Sequence, residues 1–238
     1  MTNAILMASG LGTRMRPLTD TIPKPLIKVG DTPMVETVIN ALLKYGVEKI
    51  YIVVGYLSEK FEYLCTKYSN VELIKNPYYN TVNNISSVYV AKDVLKLSDC
   101  FICEADLYIS DSDILKATPD YSCYFGKFVE GNSDDWVFEL GADNYITRVG
   151  KYGKDCYNMV GLSYFTKEDS KILSDAIQKR YNKEGYENLF WDDVVNANLD
   201  RLKLKICPIQ PSQITEIDTV EELNEVSEKV KNGSFKIN

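Results

Sequence analysis

Short apolar runs and amphipathic stretches alternate along the first half of the chain. Residues 3–8 and 49–54 are apolar runs that each stop at a glycine-containing turn, which is typical of buried strands. Residues 33–45 carry apolar side chains at helical spacing. The same patterns predict further strands at 71–75 and 99–105 and further helices at 58–68 and 83–96. This alternation predicts an α/β fold in which a mostly parallel sheet has helices on both faces.

The second half has a different pattern. Short strand-like pieces separated by turn residues predict antiparallel strands that extend the sheet, at 122–129, 136–140, 145–149 and 158–165. Helical patterns follow at 167–183, 189–199 and 220–230, with a strand pattern at 204–209. Residues 232–238 are expected to fray. No repeat, low-complexity stretch or linker interrupts the chain, so a single domain over residues 1–238 is predicted.

Composition narrows the class of protein. Of 238 residues, 45% are apolar and 26% are charged, close to the averages of globular proteins, which argues against wholesale disorder. No apolar run approaches the roughly 18 residues of a membrane span. The N-terminus has no basic region before its apolar run, so we expect no signal peptide and a cytoplasmic protein. The net charge of −7 argues against nonspecific binding of nucleic acid.

The chain contains no histidine, which excludes histidine-based catalysis and zinc sites of the Cys/His type. Among six cysteines the only close pair, Cys100 and Cys103, lies in a predicted strand, and the second pair that a zinc knuckle needs is missing. We therefore expect reduced thiols. The chemistry must use carboxylates, lysine or arginine, hydroxyls, thiols or a bound ion.

A glycine-rich turn follows the first predicted strand. Gly10 and Gly12 allow backbone N–H groups to approach an anion closely, and Arg14 and Lys24 add positive charge. Such a turn lies at the carboxyl ends of parallel strands, where ligands bind. Met15 occupies the place of the third glycine in a dinucleotide fingerprint, and no Gly-Lys-Ser/Thr of a Walker A loop follows. The turn predicts a phosphate site, against the plainer interpretation of an ordinary flexible loop.

A longer motif contains this turn: Gly10-x-Gly12-Thr13-Arg14-x-x-Pro17-x-Thr19, followed by Pro23-Lys24. It resembles the signature of nucleotidylyltransferases that join a nucleoside triphosphate to a phosphorylated small molecule, such as the sugar-1-phosphate nucleotidylyltransferases. Segments 83–87, 104–106, 135–136, 190–193 and 216–219 resemble the bacterial CTP:phosphocholine cytidylyltransferase branch. The resemblance runs nearly end to end. It implies a Rossmann-like nucleotidyltransferase fold, with a nucleotide-binding half at about 1–110 and an acceptor-binding half at about 111–238.

The resemblance also implies which residues bind the nucleotide. Lys24 would neutralise charge on the α-phosphoryl group and Arg14 would hold the leaving pyrophosphate, so these two are the catalytic candidates. The nucleotide-binding candidates are Ala8, Ser9, Gly10, Gly12, Thr13, Arg14, Lys24, Gly55, Tyr56, Asn84, Ser87, Glu104 and Ala105. Amide and hydroxyl groups can read a pyrimidine edge. The alternative for Asn83 or Asn84 is a helix cap.

The family's magnesium carboxylates map onto Asp106, Asp218 and Glu216. Asp106 follows a predicted strand, and Glu216 and Asp218 alternate along an extended segment, so both face one side. Mg²⁺ prefers such hard oxygen ligands. The alternatives are a turn or cap role for Asp106, and an N-cap at Asp218 or Thr219 that forms a capping box with Glu221.

The two tryptophans, Trp136 and Trp191, have acidic neighbours. An aromatic wall beside a carboxylate suits a quaternary ammonium, although tryptophans are more often core residues. By resemblance, the choline-binding candidates are Trp136, Trp191, Asp192, Asp135 and Phe190. Lys151 and Lys154 could reach a phosphate, but we expect both to face solvent.

The implied reaction is Mg²⁺-dependent transfer of CMP from CTP to phosphocholine, with CDP-choline and pyrophosphate as products. Alternative acceptors are 2-aminoethylphosphonate and a sugar 1-phosphate. A non-catalytic nucleotide-binding subunit is a remote alternative, because Arg14, Lys24, Asp106 and Asp218 are all present. The expected partners are the two substrates, with no nucleic acid and no membrane span. A homodimer remains an open possibility.

Overall fold

The structure is a computed structural model that describes residues 1–233 and 235. Its strands are β1 (Thr2–Ala8), β2 (Lys28–Val29), β3 (Thr32–Pro33), β4 (Lys49–Val54), β5 (Val71–Lys75), β6 (Asp99–Glu104), β7 (Leu107–Ile109), β8 (Cys123–Leu140), β9 (Ile146–Phe165), β10 (Lys205–Pro208) and β11 (Ile214–Glu216). Its α-helices are α1 (Met34–Tyr45), α2 (Glu62–Lys67), α3 (Ile85–Val90), α4 (Lys167–Arg180), α5 (Trp191–Asn196) and α6 (Val220–Lys231).

Seven strands form one mixed sheet in the order β10-β8-β9-β6-β1-β4-β5. The strands from β6 to β5 run parallel, as does β10 beside β8, whereas β9 is antiparallel to both of its neighbours. The predicted α/β fold with a mostly parallel sheet and an antiparallel extension is confirmed. Two small antiparallel pairs, β7 with β11 and β2 with β3, lie outside this sheet.

Apolar side chains cover both faces of the sheet. One face packs against α1 and α2 through residues such as Val38, Leu42 and Leu64. The other packs against α3, α4 and α5 through residues such as Val88 and Ile177. Both faces are therefore buried, which explains why the parallel strands read as continuous apolar runs.

The four strand-like pieces of the middle region are two long strands, β8 and β9. The predicted break at 130–132 is a bulge rather than a turn, because Gly131 has φ 83° and donates its N–H to Asp155 Oδ1 at 2.7 Å. The turn at 141–144 is confirmed, since Gly141 N–H donates to the Tyr145 carbonyl. The hairpin folds back on itself, because Val137 and Phe138 pair with Gly150 and Val149 on one side and with Asn158 and Tyr157 on the other.

Several helices are shorter than their amphipathic patterns. The pattern at 83–96 contains α3 and then a 3₁₀ turn, and Ser174 of α4 donates a hydrogen bond to the Lys92 carbonyl between the two. The pattern at 58–68 begins with a 3₁₀ turn, and the one at 189–199 contains only α5.

Within residues 1–233 and 235, no helix combines the length and apolarity that a membrane crossing requires. The fraying expected for 232–238 concerns mostly residues 234 and 236–238, which lie outside the described residues.

Candidate active site

A cleft of about 750 Å³ opens at the carboxyl ends of β1 and β6. The glycine-rich turn after β1 lines one end, and the β8–β9 hairpin lines the other. The residues that meet here are spread over more than two hundred positions of the chain, from Met7 to Glu222. The position agrees with the rule that ligands bind at the carboxyl ends of parallel strands.

The conformation of the glycine-rich turn is fixed by one hydrogen bond and by the close approach of its backbone to Lys24. Thr19 Oγ1 donates to the Gly12 carbonyl at 2.8 Å. Gly12 has φ 60°, and a Cβ there would lie 2.9 Å from Lys24 Cβ. Glycine is therefore required at this position for both conformation and space. Gly10, Thr13 and Arg14 line the cleft beside it.

Lys24 is the buried cation of the cleft. Its Nζ lies 2.6 Å from Asp106 Oδ2 and 2.5 Å from Asp218 Oδ1, and the residue is 7% exposed. Burial by itself lowers the pKa of Lys24, but Asp106 and Asp218 outweigh it and raise the pKa above its usual value. Lys24 is thus a fixed positive charge. Arg14 also bonds Asp218 Oδ1, at 2.7 Å.

Three carboxylates face one another beside Lys24. One ligand oxygen each of Glu104, Asp106 and Glu216 lies within 4.8 Å of the others. Burial and then the neighbouring carboxylates raise the pKa of Glu104 well above its usual value and that of Glu216 to about 8. The protein's own cations therefore do not fully balance the negative charge of these carboxylates. A set of oxygen ligands of this kind fits Mg²⁺.

The facing carboxylate group includes one residue that was not predicted to bind the metal, and the magnesium role predicted for Asp218 stays a prediction. Glu104, predicted to bind nucleotide, joins Asp106 and Glu216, while Asp218 pairs with Lys24 and Arg14 instead. Spacing along the chain could not show this, because β7 and β11 pair side by side and bring Glu216 against the end of β6. The capping box of α6 is formed by Thr219 and Glu222, one residue later than expected.

The uncharged part of the cleft contains only some of the predicted nucleotide residues. Ala8, Ser9 and Ser87 line it, as does Asn84. The Asn84 side chain does not cap α3. Its Oδ1 accepts a hydrogen bond from the backbone N–H of Trp191 at 2.9 Å. Asn83 and Ser86, which belong to the predicted segment 83–87, also line this part, whereas sequence reasoning missed Tyr79 and Val82.

Three predicted nucleotide residues do not line the cleft. Ala105 is fully buried and donates its N–H to the Met7 carbonyl. Tyr56 donates its hydroxyl to the Thr19 carbonyl at 3.0 Å. At Gly55 a Cβ would lie 2.6 Å from Tyr79. These residues support the wall of the cleft from behind.

The hairpin end of the cleft combines aromatic rings with charges of both signs. Trp136 and Phe190 form an edge-to-face pair with ring centroids 5.2 Å apart. The charged lining residues at this end are Asp134, Asp135, Asp192, Lys127 and Lys151. Lys151 is exposed, as expected, and it also lines the cleft. Lys127 was not anticipated from the sequence.

The structure does not bring the two tryptophans together. Trp191 is 3% exposed, stacks on Tyr124 and lines only a small neighbouring pocket. Asp192 lies at the wall between that pocket and the cleft, and it accepts a hydrogen bond from Tyr124 at 2.9 Å. Burial raises the pKa of Asp192 to about 7, although the Tyr124 hydrogen bond opposes the shift. The plainer interpretation, a core tryptophan, fits Trp191.

Comparisons with known proteins agree with this geometry. A family model described as nucleotidyl transferase matches residues 3–137. A 2-aminoethylphosphonate cytidylyltransferase of Lancefieldella rimae is 55% identical over 93% of this chain and 90% of that protein. A choline-phosphate cytidylyltransferase of Streptococcus pneumoniae is 31% identical over 96% of this chain and 98% of that protein.

Solved structures show the same fold. The CTP:phosphocholine cytidylyltransferase of Streptococcus pneumoniae superimposes with a TM-score of 0.86 at 31% identity, covering 96% of this chain and 99% of that one. An inositol-1-phosphate CTP transferase of T. maritima gives 0.76 at 19% identity, over 98% and 97% of the two chains, and this likeness concerns the fold alone. The chain therefore belongs to the nucleotidyl transferase family and is a nucleotidyltransferase.

Proposed function

We propose that this enzyme is a cytidylyltransferase that transfers CMP from CTP to 2-aminoethylphosphonate and releases pyrophosphate. The relative from Lancefieldella rimae, at 55% identity, supports this acceptor over phosphocholine, which the sequence analysis placed first. The observation that carries the proposal is the hairpin end of the cleft, where carboxylates and lysines surround one half-buried tryptophan.

A primary ammonium has three N–H donors and needs acceptors, whereas a quaternary ammonium has none. Asp134, Asp135 and Asp192 line this end and supply carboxylate oxygens. Lys127 and Lys151 supply positive charge for a phosphonate. A small molecule with an ammonium at one end and a phosphonate at the other therefore matches the charges present.

Phosphocholine is the second candidate. Trp136 and Phe190 provide an aromatic corner that could hold a quaternary ammonium through cation–π attraction. Relatives named choline-phosphate cytidylyltransferase are 31% and 27% identical, well below the 55% of the phosphonate relative. Trp191, the second wall expected for a choline box, lies in the core.

In the proposed reaction, a phosphonate oxygen attacks the α-phosphorus of CTP in line. A new P–O bond forms, the bond between the α-phosphorus and the α,β-bridging oxygen breaks, and that oxygen leaves with pyrophosphate. The phosphonate is already an anion near neutral pH, so no general base is needed, which suits a chain without histidine. Lys24 neutralises charge on the α-phosphoryl group, and Arg14 with the backbone of the glycine-rich turn binds the leaving pyrophosphate.

The carboxylates Glu104, Asp106 and Glu216 would hold Mg²⁺, with Asp218 beside them. When bound, the ion supplies positive charge that offsets the charge of the phosphates. The chain's own residues orient the two substrates from opposite ends of the cleft. The division into halves at about residue 110, the cytoplasmic location and a homodimer remain predictions.

Pyrophosphate release from CTP and Mg²⁺ tests the proposal, with 2-aminoethylphosphonate, phosphocholine and glucose 1-phosphate assayed side by side. We expect kcat/KM for 2-aminoethylphosphonate to exceed the others by at least about tenfold, since the unmatched carboxylates penalise an acceptor without N–H donors. Greater turnover with phosphocholine would overturn the acceptor assignment.

Two tryptophan variants sharpen this test. Trp136→Ala should raise KM for the acceptor while the Tm changes little, because the ring lines the cleft. Trp191→Ala should lower stability by about 3–5 kcal/mol, because it empties a core site. A stable Trp191→Ala protein that lost only acceptor binding would contradict the core assignment.

A further inference from the structure

Asn76 lies behind the uncharged wall of the cleft. It follows β5 directly, is 2% exposed and is absent from the cleft lining. Its backbone N–H donates to the Val54 carbonyl at 2.8 Å, so its position at the carboxyl end of the sheet is fixed. The side chain therefore acts on the cleft only through other residues.

The Asn76 amide contacts three serine hydroxyls. Nδ2 lies 2.9 Å from Ser86 Oγ and 3.4 Å from each of Ser9 Oγ and Ser87 Oγ. Ser86 Oγ donates its own proton to the Asn83 carbonyl at 2.9 Å, so it accepts from Asn76. One amide proton thus serves Ser86, and the other is shared between Ser9 and Ser87.

Ser9 and Ser87 also bond each other, with their Oγ atoms 2.8 Å apart. One hydroxyl must donate to the other, and the second hydroxyl keeps its proton. Both side chains line the cleft. Asn76 Nδ2 donates to the oxygens of these two hydroxyls and accepts no proton from them. The remaining hydroxyl proton is therefore available to an acceptor atom of a ligand.

The oxygen of the Asn76 amide bonds the backbone beside an aromatic residue of the cleft wall. Oδ1 accepts the Tyr78 N–H at 3.0 Å. The next residue, Tyr79, lines the cleft and packs so closely on Gly55 that a Cβ there would lie 2.6 Å from Tyr79 Cβ and Cγ. One buried amide therefore sets both a hydroxyl donor and a ring at the same end of the cleft.

We propose that Asn76 is a positioning residue for the nucleoside end of the substrate. Through Ser9 and Ser87 it presents a donor to a ring or carbonyl acceptor, and through Tyr78 it holds the Tyr79 ring as an apolar wall. Such a combination suits a flat, uncharged heteroaromatic base, while the cations Arg14 and Lys24 serve the phosphates. This inference rests on the proposed use of CTP.

Dissociation constants for CTP and for inorganic pyrophosphate, measured without acceptor, test the inference on the full chain. Asn76→Ala should weaken CTP binding about tenfold and leave pyrophosphate binding within about twofold, because a lost buried hydrogen-bond network affects only the nucleoside end. In turnover, KM for CTP should rise with kcat within about threefold. Equal weakening of both ligands, or none, would overturn the proposal.

Asn76→Asp is the second variant, because it preserves size and the Tyr78 bond but replaces the donor amide with an acceptor. It should weaken CTP binding as Asn76→Ala does, and wild-type affinity in this variant would overturn the proposal even if Asn76→Ala fails to fold. Ser174→Ala is the matched control, since it removes a buried hydrogen bond to the Lys92 carbonyl away from the cleft. A similar loss of CTP affinity in Ser174→Ala would show a merely structural effect.

These experiments distinguish a failure of the Asn76 inference from a failure of the proposed function. A wild-type protein that binds CTP but transfers nothing to 2-aminoethylphosphonate refutes the acceptor and leaves the role of Asn76 tested by binding. If another nucleoside triphosphate binds better than CTP, the same variants are compared with that nucleotide, and the ratio of variant to wild type decides.

Discussion

At the scale of single residues, Lys24 connects the carboxylate group of the cleft with the glycine-rich turn. Its ammonium bonds Asp106, beside the carboxylate group, and Asp218, which also bonds Arg14 of the phosphate turn. A buried lysine with two acidic partners remains charged, and its position is fixed before any substrate binds. The motif placed Lys24 in the site, but its two partners were visible only in the structure.

Lys24→Ala should lower kcat by about 10²–10³-fold, the usual loss when a preorganised charge at the reacting group is removed. Asp106 and Asp218 have side chains 22% and 21% exposed, so water can solvate them and the fold should persist. Turnover assays with circular dichroism check both parts, and Lys60→Ala, at an exposed lysine outside the cleft lining, is the control. Near-wild-type turnover in Lys24→Ala would contradict its catalytic role.

At the scale of elements, a buried carboxylate joins α1 to α2. Glu36 of α1 accepts hydrogen bonds from Tyr63 at 2.9 Å and Tyr68 at 2.8 Å and pairs with Lys67. Burial opposes ionisation, but the bonds from Lys67, Tyr68 and Tyr63 outweigh it and hold the pKa of Glu36 below its usual value. Amphipathic spacing alone would leave the charge of Glu36 exposed. In the structure this residue instead links α1 to α2.

Glu36→Gln should destabilise the protein by about 1–3 kcal/mol at pH 7, because it weakens charge-assisted bonds to three donors. Since the folded pKa lies below the unfolded value, this stability is present above the unfolded pKa and is lost as pH falls through the folded pKa. Urea unfolding at pH 7 and at about pH 3 measures the difference, which should shrink at the acidic pH. Glu62→Gln, at an exposed position of α2, is the control, and a pH-independent difference would contradict the assignment.

At the scale of the whole molecule, the carboxylate group depends on distant parts of the chain. Glu104 and Asp106 flank the end of β6, and Glu216 ends β11, more than a hundred residues later. The pairing of β11 with β7 brings them together. The raised pKa values of Glu104 and Glu216 reflect burial and mutual repulsion, so folding concentrates negative charge that a cation can relieve.

Mg²⁺ should therefore stabilise the folded chain. At a concentration near ten times its dissociation constant, the ion should add about 1.4 kcal/mol and raise Tm by about 3–6 °C. Thermal unfolding with and without Mg²⁺ measures the shift, which should be lost in Glu216→Gln and kept in the exposed control Glu225→Gln. An equal shift in Glu216→Gln would contradict a magnesium site at Glu104, Asp106 and Glu216.

Local chemistry along the chain was enough for the strands, the phosphate turn and the charged candidates. Continuous apolar runs predicted β1 and β4 because both faces of these strands are buried. The turn at Gly12 was predictable because glycine favours its φ and because a side chain there would collide with Lys24. The resemblance of the longer motif then placed Arg14 and Lys24 at phosphates.

Contacts between distant segments decided the rest. Trp191 entered the core and Trp136 the cleft, although both have acidic neighbours, because burial depends on which helix packs on which face of the sheet. Glu104 joined Asp106 and Glu216 among the facing carboxylates because a strand pairing set their distances. Asn76 carries no motif, and its contacts exist only after β1, β5 and α3 have packed together. Sequence spacing records neighbours along the chain, whereas these sites are made of neighbours across it.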